Sequence, residues 1–388
     1  MRAINLKTNH LTAPVGIDAG PLFLSWQCAD GVRQTAYEIQ LTANGEMLWH
    51  SGKTEGTAMH ADVPAVGGSR VSGCWRVRLW DETDVPGAWS EARFETGLAQ
   101  CDWIGEWVDP ETEPIDIPGD DAINAFARPN WERKQAEKEA AGKGAAESYK
   151  PHRPASYLRK SFTASKGEAR LYITAKGLYA AWLDGKHIGD MVLAPGSFTG
   201  NKHLGAQTYD VTALLHSGDN MMEMYVGDGW YFSAFASPVA KHPHAAPGVL
   251  FQLELWYEDG TREHIISDGT ESCELSYILC SDLFQGEKQD FTQRRQTPQP
   301  VALRDYPMNI LRAQPMDPIR PVAELPARRV FRSPKGEWIV DFGQVLAGRA
   351  RVLLNTPQGT TVTLEYFEEL DCDGNYLNTM FAPQRDVV

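Results

Sequence analysis

No apolar run in the sequence approaches the roughly 20 residues that a membrane-spanning helix needs. The opening residues, Met1-Arg2-Ala3-Ile4-Asn5-Leu6-Lys7, lack the apolar core and small-residue cleavage site of a secretion signal. Cysteine is scarce: Cys28, Cys74, Cys101, Cys273, Cys280 and Cys372 are scattered with no CxxC pair. That spacing fits reduced thiols in a cytoplasmic protein better than a zinc cluster or a disulfide framework. Positive charge is in deficit, with 37 Lys and Arg against 51 Asp and Glu, for a net charge of −14. Nothing electrostatic draws such a chain to nucleic acid or to an anionic membrane. Also missing are the GxSxG nucleophile elbow, a phosphate-cradling glycine loop and an HExxH zinc helix.

What the chain has is alternation. Leu22-Phe23-Leu24-Ser25-Trp26 and Ala36-Tyr37-Glu38-Ile39-Gln40-Leu41 read as strands, with Tyr37, Ile39 and Leu41 on one face. Asn44-Gly45 is a turn signal before Met47-Leu48-Trp49, and Trp75-Arg76-Val77-Arg78-Leu79-Trp80 alternates apolar with basic residues. Short strands at this density predict a sandwich over 1–99. It resembles a fibronectin type III module, with Trp26 as the buried tryptophan and Trp89-Ser90 to Phe94-Glu95-Thr96-Gly97 as the closing pattern. A Pro- and acid-rich connection follows over 100–155, holding a helical stretch at 131–148 rich in Ala, Glu and Lys. Without an apolar stripe, that stretch reads as a solvated surface insertion.

Strand patterning returns over 156–298. Leu171 and Ile173 share a face, Asp184-Gly185 marks one hairpin, and Asp259-Gly260 another after the long apolar run at 248–257. Past a proline-spaced connection, a third β region over 299–388 opens with Trp338-Ile339-Val340-Asp341-Phe342-Gly343. It continues through strands expected at 348–354 and 361–366. Its last residues, Arg385-Asp386-Val387-Val388, suggest a sequence cut inside a strand. The fold class expected is all-β, a chain of β-sandwiches with one short helical insertion.

Chemistry-bearing clusters are few. Asp371-Cys372-Asp373-Gly374-Asn375 starts like a calcium loop but lacks the glycine and glutamate positions of an EF-hand, so it reads as an acidic turn. His242-Pro243-His244 is short of the ligands that zinc requires. Glu365, Glu368, Glu369 and Asp371 gather carboxylates of the kind a glycosidase uses, but in an acidic protein they read as solvated charge.

The more specific pattern is ordered. Gly177-Leu178-Tyr179-Ala180-Ala181-Trp182-Leu183-Asp184-Gly185 is followed by Val192-Leu193-Ala194-Pro195-Gly196 and Gln207-Thr208-Tyr209-Asp210-Val211-Thr212. Val226-Gly227-Asp228-Gly229-Trp230-Tyr231 comes next, then Cys280-Ser281-Asp282-Leu283-Phe284-Gln285-Gly286-Glu287, and Asp341-Phe342-Gly343-Gln344 with Ala347-Gly348. In this order they resemble the N-terminal β domains of bacterial α-L-rhamnosidases, glycoside hydrolase family 78, over essentially the whole chain.

The resemblance implies removal of terminal α-L-rhamnose from glycosides by inversion, with a proton donor and a base in an (α/α)6 barrel downstream of the β domains. The expectation is therefore a non-catalytic β portion with no catalytic residue of its own. Its partners would be rhamnose-containing glycosides and a catalytic domain in cis, and no cofactor is required. The alternatives are a standalone scaffold and a carbohydrate-binding module. For the module, the resemblance implies a rhamnose-binding jelly-roll with calcium as the candidate ion. Its candidate sugar-binding residues are Asp190, Asp228, Trp230 and Tyr231, and its candidate metal ligands are Asp190 and Asp228.

Overall fold

Strict alternation puts Leu22, Leu24 and Trp26 on one side of their strand, and all three are buried. They meet Ile39, Leu41, Trp75, Val77 and Leu79 from a second sheet, so the apolar faces of two sheets close on one another. The structure, a computed structural model, describes residues 1–113, 153–198, 202–232, 247–283, 286–292, 297–314, 316–379 and 385–388, together with 136, 139, 140 and 142. The helical stretch expected at 131–148 lies outside the described residues except at isolated positions.

In the first sandwich, Arg2–Thr8, Leu22–Ala29 and His60–Val63 form a three-stranded sheet. The facing sheet runs Val15–Ile17, Ser90–Thr96, Ser72–Trp80, Ala36–Ala43 and Glu46–His50, with Thr54–Glu55 paired to Ala36–Ala43. Asn44 and Gly45 have φ of 49° and 85°, the two left-handed positions of a tight hairpin, and they bring Ala43 opposite Glu46. The buried indoles are satisfied: Trp75 Nε1 donates to Thr8 Oγ1 at 2.9 Å and Trp26 Nε1 to Gln34 Oε1 at 3.0 Å.

The second sandwich has a seven-stranded and a six-stranded sheet. The seven-stranded sheet runs Ala302–Arg304, Trp107–Asp109, Gly248–Trp256, Glu168–Lys176, Leu204–Asp210 and Leu311–Ala313, with Arg262–Ile266 paired to Gly248–Trp256. The other runs Lys186–His187, Leu178–Leu183, Gly218–Gly227, Ser156–Ala164, Ser272–Leu275 and Gln299–Pro300. Leu171, Ile173, Phe251 and Leu253 of the first pack on Leu158, Leu183, Met224 and Val226 of the second. Gly248–Trp256 is buried on both faces, because its far side carries a second apolar layer of Trp103, Trp107, Tyr172 and Leu250.

Two reciprocal arginine–carboxylate clamps bind the sandwiches together. Arg70 of the first holds Glu254 of the second through Nε and Nη2. Arg170 of the second holds Glu95 of the first, with Nε 2.9 Å from Oε1.

The third region is thinly paired. Arg329–Arg332 pairs with Trp338–Asp341 and Glu369–Leu370 with Tyr376–Leu377, while Ile278–Asp282, Gly286–Gln289, Arg385–Val387 and Thr363–Glu365 make a four-stranded sheet. The strand expected at 361–366 shortens to Thr363–Glu365, and the one expected at 348–354 does not form. Its alternation finds no neighbouring edge to bond, and Leu353 is left 96% exposed.

Candidate functional site

The seven-stranded sheet delivers an unusual group at one end. Along Glu168–Lys176, Leu171, Ile173 and Ala175 face the inter-sheet core, so Tyr172, Thr174 and Lys176 face the opposite, tryptophan-lined layer. Gly177 follows with φ of 126°, and a Cβ there would lie 2.3 Å from the Gly227 carbonyl oxygen. Only glycine lets the chain turn at that point from one sheet to the other. Lys176 is thereby fixed at the strand end and is 4% exposed.

Its ammonium sits in a box of rings. Nζ is 3.4 Å from the Tyr306 ring centroid, 5.6 Å from Trp107 and 5.9 Å from Tyr231. Trp107 belongs to Trp107–Asp109, Tyr306 to the loop after Ala302–Arg304, and Tyr231 to the single helical turn Gly229–Phe232. No ion pair or hydrogen bond joins the Lys176 ammonium to a described residue. The Trp107 indole N–H is likewise buried without an acceptor.

Burial brings the Lys176 ammonium down to about 8. The unfolded chain therefore holds more protons than the folded one between there and the ordinary lysine value. Stability contributed by this group is absent below about pH 8 and accrues as pH rises toward about 10.4. With cation–π attraction and partial solvation opposing the shift, the gain is on the order of 1–2 kcal/mol. Urea unfolding near pH 7 and near pH 10 should show this rise in the wild type relative to a Lys176→Met variant.

The residues expected from sequence divide. Tyr231 joins the box, and Trp230 is half-buried on the same helical turn. Asp228, one residue before that turn, pairs with Arg153 at 3.5 Å. Asp190 is exposed and pairs with Arg320 at 2.7 Å. Each aspartate thus faces a different arginine, and among the described residues no three His, Cys, Asp or Glu side chains converge on a metal position. That donor set does not fit calcium, which takes six to eight oxygens.

The carboxylate clusters are also engaged. Glu365 pairs with Arg385, while Glu368 and Glu369 are exposed. Asp371 accepts from the backbone N–H groups of Asp373 at 3.0 Å and Asn375 at 2.7 Å, which makes the acidic turn expected and holds its carboxyl below the ordinary range. His242 and His244 lie outside the described residues.

Sequence reasoning had not singled out Glu287 and Asp386, two neighbouring carboxyls where the second sandwich meets the third region. Burial, and then Asp386, push Glu287 up. Asp386 accepts from the Glu287 N–H at 2.9 Å on one oxygen and from the Tyr366 hydroxyl at 2.5 Å on the other, so both of its oxygens are engaged within the protein. A glycosidase acid–base pair needs both groups open to a substrate between them.

Family models match along the chain in order. Residues 3–100 match the Rha78A-like, N-terminal immunoglobulin domain, 165–323 the alpha-L-rhamnosidase N-terminal domain, and 331–386 the bacterial alpha-L-rhamnosidase concanavalin-like domain. The chain belongs to the bacterial α-L-rhamnosidase family, glycoside hydrolase family 78. An α-L-rhamnosidase of Alteromonas sp. is 30% identical over 92% of this chain, which spans 39% of that relative. One from Streptomyces avermitilis is 33% identical over 69% of the chain, spanning 26% of its length. The chain thus spans well under half of these α-L-rhamnosidases. Its fold matches a solved α-L-rhamnosidase from Streptomyces avermitilis complexed with L-rhamnose. The TM-score is 0.80 at 24% identity, covering 100% of this chain and 53% of that one. The Aspergillus terreus α-L-rhamnosidase matches with TM-score 0.80 at 24% identity over 99% of this chain and 44% of the other.

Proposed function

We propose that this chain is the non-catalytic β portion of an enzyme that cleaves terminal α-L-rhamnose from glycosides with inversion, the acid and base lying in an (α/α)6 barrel outside these residues. The observation that carries the reading is the ordered series of three rhamnosidase family segments, 3–100, 165–323 and 331–386, along the chain. Its units are 1–99, a connection at 100–155, a jelly-roll at 156–298 and a further sandwich at 299–388, with Trp107–Asp109, Gln299–Pro300, Ala302–Arg304 and Leu311–Ala313 lent to the sheets of the jelly-roll. The third region presents Trp338, Val345 and Leu353 to solvent, and exposed apolar clusters of this kind mark surfaces that another domain covers. The occupant we assign is the catalytic portion, so the β units act as its buttress.

All six cysteines are thiols, which favours a reducing compartment and hence the cytoplasm. No helix among the described residues is long and apolar enough to cross a membrane.

The buttress role is tested by joining this chain to the downstream portion of the Alteromonas relative. The fusion should be soluble and hydrolyse a rhamnoside, while the downstream portion alone should precipitate or lose most of its turnover. Full activity of the downstream portion by itself would remove the role.

A further inference from the structure

We propose that the box formed by Lys176, Trp107, Tyr231 and Tyr306 is a binding site for the carboxylate of an acidic sugar, a uronic acid residue of the glycan. The proposal rests on the function proposed above only for its choice of sugars as the ligand class.

Two buried donors in the box lack acceptors among the described residues. Lys160, also buried, is answered by Asp268 at 2.5 Å and Glu271 at 3.3 Å. Arg70 and Arg170 are answered by Glu254 and Glu95. Among the described residues, Lys176 meets only aromatic faces. Rings attract a cation through their quadrupole but take up none of its three N–H bonds. The Trp107 indole N–H, from the neighbouring wall of the box, is a second buried donor without an acceptor. Two buried donors without an acceptor among the described residues are complementary to oxygen atoms supplied by a ligand.

Charge decides which oxygens. A hydroxyl would satisfy the geometry, but a carboxylate also neutralises the ammonium, and charge-assisted hydrogen bonds are roughly twice as strong as neutral ones. Tyr231 and Tyr306 are only partly buried, so they form the rim of the box, aromatic surface against which the apolar face of a pyranose can lie with its carboxylate turned toward Nζ. The aromatic walls come from separate segments, and Tyr231 is on the same short turn that carries Trp230. An acidic sugar is also what the otherwise anionic surface would repel, so a lone buried cation would be the discriminating contact.

The pH dependence has a definite sign. Among the described residues, the titratable groups facing Nζ are the phenols of Tyr231 and Tyr306; burial, and then Tyr306, push the Tyr231 phenol up. The ammonium sets the response. Affinity for a carboxylate is full below about pH 8 and falls by up to about tenfold per pH unit above it.

The test is titration of the full chain with D-glucuronate and D-galacturonate, against D-glucose and L-rhamnose, followed by calorimetry and by tryptophan fluorescence. A uronate should bind at least about tenfold more tightly than either neutral sugar at pH 7. Lys176→Met and Lys176→Gln should each abolish that preference while unfolding cooperatively. Failure of both uronates to bind the wild type, equal affinity for the neutral sugars, or an unchanged preference in both variants would overturn the proposal. None of these outcomes bears on rhamnoside hydrolysis, which is measured separately.

Discussion

Arg70→Ala is expected to destabilise the protein by about 3–5 kcal/mol, the cost of leaving a buried charge without its partner. Glu254 is 2% exposed at its side chain and is clamped by Arg70 through two nitrogens. What remains after the substitution is a hydrogen bond from Gln252 Nε2 at 2.6 Å and His264 at 3.7 Å, which do not neutralise the carboxylate in the same way. Arg70 has φ of 62°, a conformation that costs an L residue free energy and that alanine would keep, so the change isolates the side chain. Because the clamp joins two sandwiches, the loss should also divide thermal unfolding, with the first sandwich melting ahead of the second. Arg93→Ala is the control: that side chain is 82% exposed and its pair with Glu91 is 3.5 Å long, so its effect should stay below about 0.5 kcal/mol. Replacing both members, Arg70→Met with Glu254→Leu, should recover most of the loss, because it removes the stranded charge together with the pair.

Period-two patterning made the sandwiches legible. Leu22, Leu24 and Trp26, or Leu171 and Ile173, are inward because each strand has a partner sheet to bury them. Asn44-Gly45 and Asp184-Gly185 announced their turns because left-handed backbone is chemically marked, and both pairs have positive φ. Residues 348–354 have the same alternation and no strand, since pattern alone supplies no edge to pair with.

The ring box was legible only in part. Tyr231 stood out beside two glycines, but Trp107, Lys176 and Tyr306 come from distant segments that only the sheet order brings together. The strand itself misleads: Glu168, Arg170, Thr174 and Lys176 share its polar face, which reads as solvated, and only the layer of Trp103, Trp107 and Leu250 laid over that face buries the lysine. Asp190 and Asp228 look like ligands in sequence because the arginines that answer them, Arg320 and Arg153, are far away along the chain.

The second large effect concerns catalysis. Glycoside hydrolysis by inversion needs a protonated acid and a free base roughly 6.5–9.5 Å apart, with room for the sugar and a water between them. Glu287 has the raised proton affinity of an acid, yet its neighbour Asp386 is bound by a backbone N–H and a phenol. Enzymes typically accelerate reactions at least about 10⁶-fold, and half of such a pair supplies little of that.

The deciding measurement is release of 4-nitrophenol from its α-L-rhamnopyranoside by the purified 388-residue chain. This account predicts a rate indistinguishable from that of buffer. Turnover in the ordinary enzyme range of roughly 1–10³ s⁻¹, abolished by Glu287→Gln or Asp386→Asn, would contradict it.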